Sequence, residues 1–255
     1  MKELMDFRNK IVLVTGSARG IGYAVAEGFA GQGAHVIINA TTQQNAERAA
    51  AKIRASGGMA SACGFNLLNQ AEIRQAIDHI ENEIGAIDVL VNNAGTSPSA
   101  NSFFDVEESD WNRVVEVNQN ALFRVTQAVS RYMVKRRKGK IINITSMAGL
   151  LALRGKVAYS ASKAAANMIT KNAGAELGGF NIQVNAIAPG YIKTDMTDAF
   201  FNDEKAVALL KSRTPSVRFG EVGDIRNAAL FLASPMADFI NGHVLSVDGG
   251  MSVII

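Results

Sequence analysis

The sequence predicts an α/β protein with a single doubly wound sheet of seven mainly parallel strands and helices on both faces. Three observations carry that expectation. Short apolar, β-branched runs alternate with longer segments whose apolar residues recur at helical spacing. The runs are apolar almost without interruption, as in Ile11-Val12-Leu13-Val14 and Val36-Ile37-Ile38, which fits strands covered on both sides. With 48% hydrophobic residues, 19% charged and only 4 Pro among 255, the chain can fill one large core and falls outside the disordered class.

Taken in order, strands are expected at Ile11–Thr15, His35–Asn39, Ala60–Phe65, Ile87–Asn92, Lys140–Thr145, Ile182–Ala188 and Val244–Asp248. Helical spacing fills most of the intervals, including Asn69–Ile84, Ser109–Arg136 and Tyr159–Leu177. Strand, helix and strand at these intervals imply right-handed crossovers, hence parallel neighbours with helices on both faces. No internal repeat, low-complexity tract or linker interrupts the pattern, so residues 1–255 read as one domain. Pro189 to Pro215 departs from the alternation. It is long, mixed and polar, containing PGYIKTDMTDAFFNDEK, and a connection of that length inside a domain is expected to be a substrate lid at about 189–215.

Several classes of function are excluded early. A lone Cys63 allows neither a disulfide framework nor a cysteine-based zinc site, and it suggests a reducing compartment. His35, His79 and His243 are too dispersed to build a metal centre, so none is expected. The balance of 26 basic to 23 acidic residues is too even to argue for nucleic acid. No apolar run reaches the roughly 18 residues of a membrane span. The segment MKELMDFRNK carries charges where a signal peptide needs an apolar stretch, and a cytoplasmic protein is expected. His243, Trp111 and Cys63 read as structural residues.

The first strand runs into Thr15-Gly16-Ser17-Ala18-Arg19-Gly20-Ile21-Gly22, followed by a helical pattern. Glycines let the backbone turn sharply and approach a pyrophosphate, which then rests on the positive end of the helix. The spacing is Gly-x-x-x-Gly-x-Gly rather than Gly-x-Gly-x-x-Gly. An acidic residue at the end of the second strand would bind a ribose hydroxyl and favour NAD. Here that region reads Asn39-Ala40-Thr41-Thr42, and Arg19 can supply the cation that a 2′-phosphate needs. NADP(H) is therefore the expected cofactor, ahead of NAD(H).

Tyr159 and Lys163 stand four apart at the start of a helical segment and project from one face. An ammonium beside a phenol favours the phenolate, so Lys163 is expected to lower the pKa of Tyr159 from about 10. Such a phenol can give a proton to a carbonyl oxygen as hydride arrives, or take one from an alcohol. Ser146 ends the fifth strand. Ligands collect at the carboxyl ends of parallel strands, so the glycine turn, Asn92-Asn93-Ala94-Gly95 and Ser146 are expected to face one crevice.

TGSARGIG, NNAG at 92–95, Asn118 in EVNQN, Ser146, YSASK at 159–163 and PGYIKTDM at 189–196 together resemble the short-chain dehydrogenase/reductase family, whose fold is of the Rossmann type. The resemblance spans nearly the whole chain. It implies Tyr159 as general acid/base and Ser146 as the residue holding the substrate oxygen. Lys163 would bind the nicotinamide ribose and tune Tyr159, and Asn118 would hold the water of a proton relay. Cofactor contacts are implied for Gly16, Ser17, Arg19, Gly20, Ile21, Gly22, Asn39, Thr41, Asn93, Ala94, Gly95, Pro189, Gly190, Ile192 and Thr194, with Thr194 at the nicotinamide amide. Asn66 and Leu67 fall where the family contacts adenine, though Asp is commoner there. A homotetramer is also implied, with Ser109–Arg136 and Tyr159–Leu177 at an interface.

Two branches of the family compete. HIENEIGAIDVLVNNAG, NIQVNAIAPGYIKTDMT and FINGHVLSVDGGMSVII are most similar to bacterial gluconate 5-dehydrogenases, which interconvert gluconate and its 5-keto form. Many of these carry paired arginines after NNAG, suited to a sugar acid. This chain has Thr96-Ser97-Pro98-Ser99 there, leaving Arg154 and Lys156 to replace the charge. VIINATTQQNAE is similar to the 3-oxoacyl-acyl-carrier-protein reductases, which dock an acidic carrier protein on arginines. One of those falls near Arg137 in Lys135-Arg136-Arg137-Lys138, and a second falls at Phe180. A sugar acid or related hydroxy-ketone is the expected substrate and acyl carrier protein the alternative partner. A nucleotide-binding sensor or scaffold is the non-enzyme alternative, against which the full set Asn118, Ser146, Tyr159 and Lys163 argues.

Overall fold

In β1 (Ile11–Val14) the side chains alternate between two apolar environments, because successive residues of a strand point to opposite faces. Val12 and Val14 enter one core and Leu13 the other, and all three are fully buried. The same division recurs in β2 (His35–Ala40), β4 (Ile87–Asn92) and β5 (Gly139–Ile144). The computed structural model describes residues 5–98, 102–194 and 204–254. Residues 195–203 of the expected lid, and Ser99 in the segment after NNAG, lie outside the described residues.

With β3 (Met59–Gly64), β6 (Ile182–Pro189) and β7 (Val244–Val247), the strands form one sheet in the order β3-β2-β1-β4-β5-β6-β7. Every pairing in it is parallel, so the expected mainly parallel sheet is parallel throughout. The order reverses between β1 and β4, and in open parallel sheets it is beyond the carboxyl ends of the strands at such a reversal that ligands bind.

Helices α1 (Gly20–Gly31) and α2 (Gln43–Ala55) cover the Val12 face with Phe29, Val25 and Ile53. On the Leu13 face, α3 (Gln70–His79) and α5 (Ala121–Arg136) contribute Ile73, Ile77, Val125, Val129 and Met133. Phe29 is fully buried with its ring edge-on to Phe7, and burial of such a side chain contributes about 1.5–3 kcal/mol. Helix starts follow their capping residues. Thr42 accepts the amide of Asn45 ahead of α2, and Asn69 accepts those of Ala71 and Glu72 ahead of α3. Among the described residues the remaining α-helices are α4 (Glu108–Val115), α6 (Val157–Leu177), α7 (Glu204–Ser212) and α8 (Val222–Ala233).

Two expected helices differ in detail. Asn69–Ile84 is α-helical only to His79, then widens into a π turn at Ile80–Ile84 that ends at Gly85. Ser109–Arg136 is α4 and α5 joined by a π turn at Glu116–Asn120, which places Asn118 at its centre. One wide turn displaces the backbone from the regular helical register, a device common where a helix serves a functional site. Among the described residues, no helix is long and apolar enough to cross a membrane.

Candidate active site

The glycine turn leaves β1 in a conformation that a side chain would oppose. Gly16 has φ of 60°, and a Cβ there would lie 2.9 Å from the Cα of Ala94. A Cβ on Gly22 would fall on the side-chain amide of Asn93. These contacts bring the turn against the segment that follows β4. Arg19 is the exposed N-cap of α1, and its side chain makes no capping bond.

Behind the turn, three polar side chains fasten it in place. Thr15 Oγ1 accepts the amides of Asn93 at 3.0 Å and Ala94 at 3.2 Å. Asn93 Nδ2 donates to the carbonyls of Thr15 and Gly16, each at 3.0 Å. Asn39 Oδ1 accepts from Gly16 N at 3.1 Å, and its Nδ2 faces the carbonyls of Cys63 and Phe65. The side chains of Asn39 and Asn93, two residues expected as cofactor contacts, brace the turn from inside the protein. Ser17 belongs to the same frame, being fully buried and donating from Oγ to Val14 O at 2.7 Å. Thr41 lies exposed at the end of β2, where a ribose substituent can be met. Asn66 Oδ1 accepts the amide of Leu68 at 3.0 Å in a local turn, so that oxygen shapes the loop, and Leu67 packs against the core.

The residues expected to react gather beyond β5. Ser146 lies two residues past the end of β5 and caps a short 3-10 turn, its Oγ accepting the amide of Ala148 at 3.1 Å. Tyr159 and Lys163 lie in the first two turns of α6, and the Ser146 hydroxyl is hydrogen-bonded to the phenol of Tyr159. Lys163 is buried, donates to the carbonyl of Ile144 at 2.9 Å, and stands 5.7 Å from the centre of the Tyr159 ring. Asn118 is buried at the π turn. Its amide clamps Thr96 through both backbone groups, at 2.8 and 2.9 Å, and donates to Ser162 Oγ at 3.1 Å. Ser162 in turn donates to the carbonyl of Tyr159 at 2.7 Å. A Cβ on Gly95 would lie 3.4 Å from Asn118 Oδ1 and 3.6 Å from Lys163 Nζ, so the NNAG loop passes directly over both.

Electrostatics here run against the sequence expectation. Burial pushes the Tyr159 phenol above its ordinary value, opposed only by the Ser146 hydrogen bond. Burial also holds Lys163 down to about 8. The ammonium expected to favour a phenolate is thus itself costly to charge, and desolvation decides the direction. At neutral pH the protein alone holds Tyr159 as a neutral phenol, the form that donates a proton.

The segment that follows β6 is tied to β7 and approaches the glycine turn at Thr194. Gly190 donates to Val247 O at 3.0 Å, Ile192 is buried and bridges to Gly220, and Pro189 pairs with Val247. Thr194 faces Gly20: a Cβ on that glycine would meet nothing nearer than Thr194 Cγ2 at 4.0 Å. A dinucleotide fits this donor set. The first turn of α1 has neither a capping side chain nor an acidic residue, so its amides and Ile21 present a positive end to a phosphate.

Sequence reasoning missed the frame under the site. Asn92 Nδ2 donates to Thr126 Oγ1 and Asn143 Oδ1, each at 2.9 Å, and Asn143 Nδ2 donates to Thr170 Oγ1 at 2.9 Å. Polar residues inside otherwise apolar strands, Asn92 and Asn143 among them, are the signal that could have found it. Thr15 gave none, because a β-branched residue at a strand end needs no further reason.

Comparison with known proteins agrees with this geometry. Residues 16–252 match the family described as enoyl-(acyl carrier protein) reductase. A 5-keto-D-gluconate 5-reductase of Escherichia coli is 48% identical over 255 residues, the full length of both chains. A 3-oxoacyl-acyl-carrier-protein reductase of the same species is 39% identical over 98% of this chain and 100% of its own. The crystal structure of a gluconate 5-dehydrogenase from Burkholderia cenocepacia J2315, in complex with NADP and tartrate, superposes with a TM-score of 0.97 at 39% identity, covering 100% of this chain and 99% of that one.

Proposed function

The chain belongs to the short-chain dehydrogenase/reductase family and is an oxidoreductase acting on CH–OH groups, and from that premise we propose that it is an NADP(H)-dependent reductase of keto sugar acids of the 5-ketogluconate class. The observation that carries the chemistry is the Ser146–Tyr159–Lys163 cluster, with Ser146 and Lys163 buried and the phenol held neutral. Ser146 holds the substrate carbonyl oxygen beside the phenol, and Tyr159 Oη delivers a proton to that oxygen. When bound, the dinucleotide supplies the hydride to the carbonyl carbon, so ketone, hydride and proton make the alcohol. Lys163 keeps a positive charge beside the phenolate left behind and holds the nicotinamide ribose. Asn118, at the π turn, holds the water that returns a proton to Tyr159. In the reverse direction each group runs the opposite transfer.

The remaining residues divide by position. Gly16, Gly20, Ile21 and Gly22 hold the pyrophosphate through backbone amides, while Arg19 and Thr41 meet the 2′-phosphate. Asn66 and Leu67 border the adenine. Ala94, Gly95, Pro189, Gly190, Ile192 and Thr194 enclose the nicotinamide side. We infer a single domain with a lid at about 189–215, a cytoplasmic homotetramer, and α4, α5 and α6 at its interfaces. Support for a sugar acid over an acyl carrier comes from Arg137, whose guanidinium lies 5.7 Å over the Phe180 ring and donates to Gly179 O at 2.8 Å. That side chain is engaged within the fold.

The test follows NADPH absorbance against 5-ketogluconate, an acetoacetyl thioester and a simple α-diketone, with NADH in parallel. Fastest turnover of the sugar acid with NADPH is expected. Turnover of the thioester alone would move the substrate to fatty-acid synthesis, and preference for NADH would overturn the role given to Arg19.

A further inference from the structure

We propose that Asn167 is a positioning residue for the reaction: from α6 it pins the short turn that carries Ser146, and so sets where the Ser146 hydroxyl stands against Tyr159. The inference rests on the roles proposed above for those two residues. Ser146 is followed by a single 3-10 turn, Met147–Gly149, and the next regular element, α6, begins only at Val157. Two bonds make the turn and its cap one unit. Ala148 N donates to Ser146 Oγ at 3.1 Å, and Gly149 N donates to Ser146 O at 2.9 Å. Gly149 is pressed against α6, since a Cβ there would lie 2.7 Å from the carbonyl carbon of Lys163 and 2.9 Å from Ala164 N. Asn167 stands one helical turn beyond Lys163, and helical side chains lean toward the amino end, which aims its amide at Gly149. Asn167 Nδ2 donates to Gly149 O at 3.2 Å.

The oxygen of the same amide supports this role. Asn167 is 6% exposed, and its Oδ1 has no protein partner among the described residues. A buried polar atom left unbonded costs stability, and an apolar side chain of like shape would avoid that cost. An amide at this position is therefore explained by the one bond it donates. Tyr159, Lys163 and Asn167 follow one another at four-residue spacing, so one stretch of helix presents the phenol, the ammonium and the clamp on the turn. Ser146 and Tyr159 lie on separate elements, and their hydrogen bond holds only while turn and helix keep a fixed distance. Asn167 and Gly149 fix it.

The experiment compares wild type, Asn167→Leu, Asn167→Ala and Ser146→Ala. Reduction by NADPH is followed with 5-ketogluconate or a neutral α-diketone, whichever wild type turns over faster. Oxidation of the matching alcohol by NADP+ is followed across pH, and Tm is measured for each protein. Leucine is close to asparagine in size, whereas alanine leaves a cavity and lowers Tm more. Both remove the donor, so both should lose kcat about 10- to 100-fold, the cost of misplacing a reacting group by up to about 1 Å, with KM for NADPH unchanged. The Ser146 bond opposes the burial that raises the Tyr159 pKa. Loosening it should therefore move the pH profile of oxidation, which needs the phenolate, to higher pH. A kcat in Asn167→Leu within about twofold of wild type would overturn the proposal, as would losses that follow Tm, an unmoved profile or a raised KM for NADPH. Should leucine not fold, alanine gives the same readings. If Ser146→Ala keeps its turnover, or wild type reduces neither ketone, the roles given to Ser146 and Tyr159 fail and take the proposal with them. Turnover lost in Ser146→Ala but kept in both Asn167 variants refutes the proposal alone.

Discussion

Replacing Thr15 by Val tests whether the glycine turn is held by one hydroxyl. The residue is 2% exposed, and valine matches its shape, so no cavity opens. What is lost is the acceptor for two backbone amides, Asn93 N at 3.0 Å and Ala94 N at 3.2 Å. A buried donor left without a partner costs about 1–3 kcal/mol, and the longer bond lies toward the lower end, giving about 2–4 kcal/mol for the pair. For a chain of this length each kcal/mol lowers Tm by about 2–4 °C, so Thr15→Val should melt about 5–15 °C below wild type. Thr15→Ser keeps the acceptor and loses only a methyl, about 1 kcal/mol. Calorimetry at fixed protein concentration compares the three, since an oligomer melts at a concentration-dependent temperature. NADPH affinity should fall with Thr15→Val, because the turn it anchors receives the phosphates. A valine variant within 2 °C of wild type, or a serine variant as unstable as the valine, would refute the assignment.

Lys163→Met removes an ammonium that burial holds near 8 instead of 10.5. Between those values the unfolded chain binds a proton the folded chain has released, so this group makes wild type more stable as pH rises. From pH 7 to 9.5 wild type should gain about 2 kcal/mol relative to Lys163→Met, read by urea unfolding at both pH values; a flat difference would contradict the burial argument. The same variant should lose both turnover and NADPH affinity. Arg19→Ala should raise the KM for NADPH about 10- to 100-fold while changing that for NADH little, measured by steady-state kinetics with each coenzyme.

Strand positions were legible because a strand buried on both faces must be apolar at every position, and β1, β2 and β5 satisfy that rule nearly throughout. The strand bounds shifted by a single residue at some ends, as at Met59 and Pro189. The glycine turn and the Tyr159–Lys163 pair were legible because spacing alone places them. Direction of a side chain is another matter. Asn39 and Asn93 occupy the right segments, yet whether an amide faces the crevice or the backbone behind it depends on which carbonyls the fold brings near. The π turn at Asn118 was hidden because its residues keep an unbroken helical pattern. The pKa direction of Tyr159 was misjudged for a related reason: sequence displays the neighbouring charge of Lys163, while the burial that outweighs it belongs to the assembled structure.

The central claim is that Tyr159 moves the proton while other residues hold the coenzyme. Tyr159→Phe removes one oxygen and leaves the Lys163 bond to Ile144 in place. Stopped-flow measurement of NADPH oxidation by 5-ketogluconate, beside fluorescence titration of NADPH binding, tests it directly. The account predicts a rate lower by about 100- to 10,000-fold, the usual reach of a general acid, with NADPH affinity within about threefold of wild type. Retained turnover would remove Tyr159 from the proton transfer, and loss of NADPH binding in step with turnover would make it a binding residue instead.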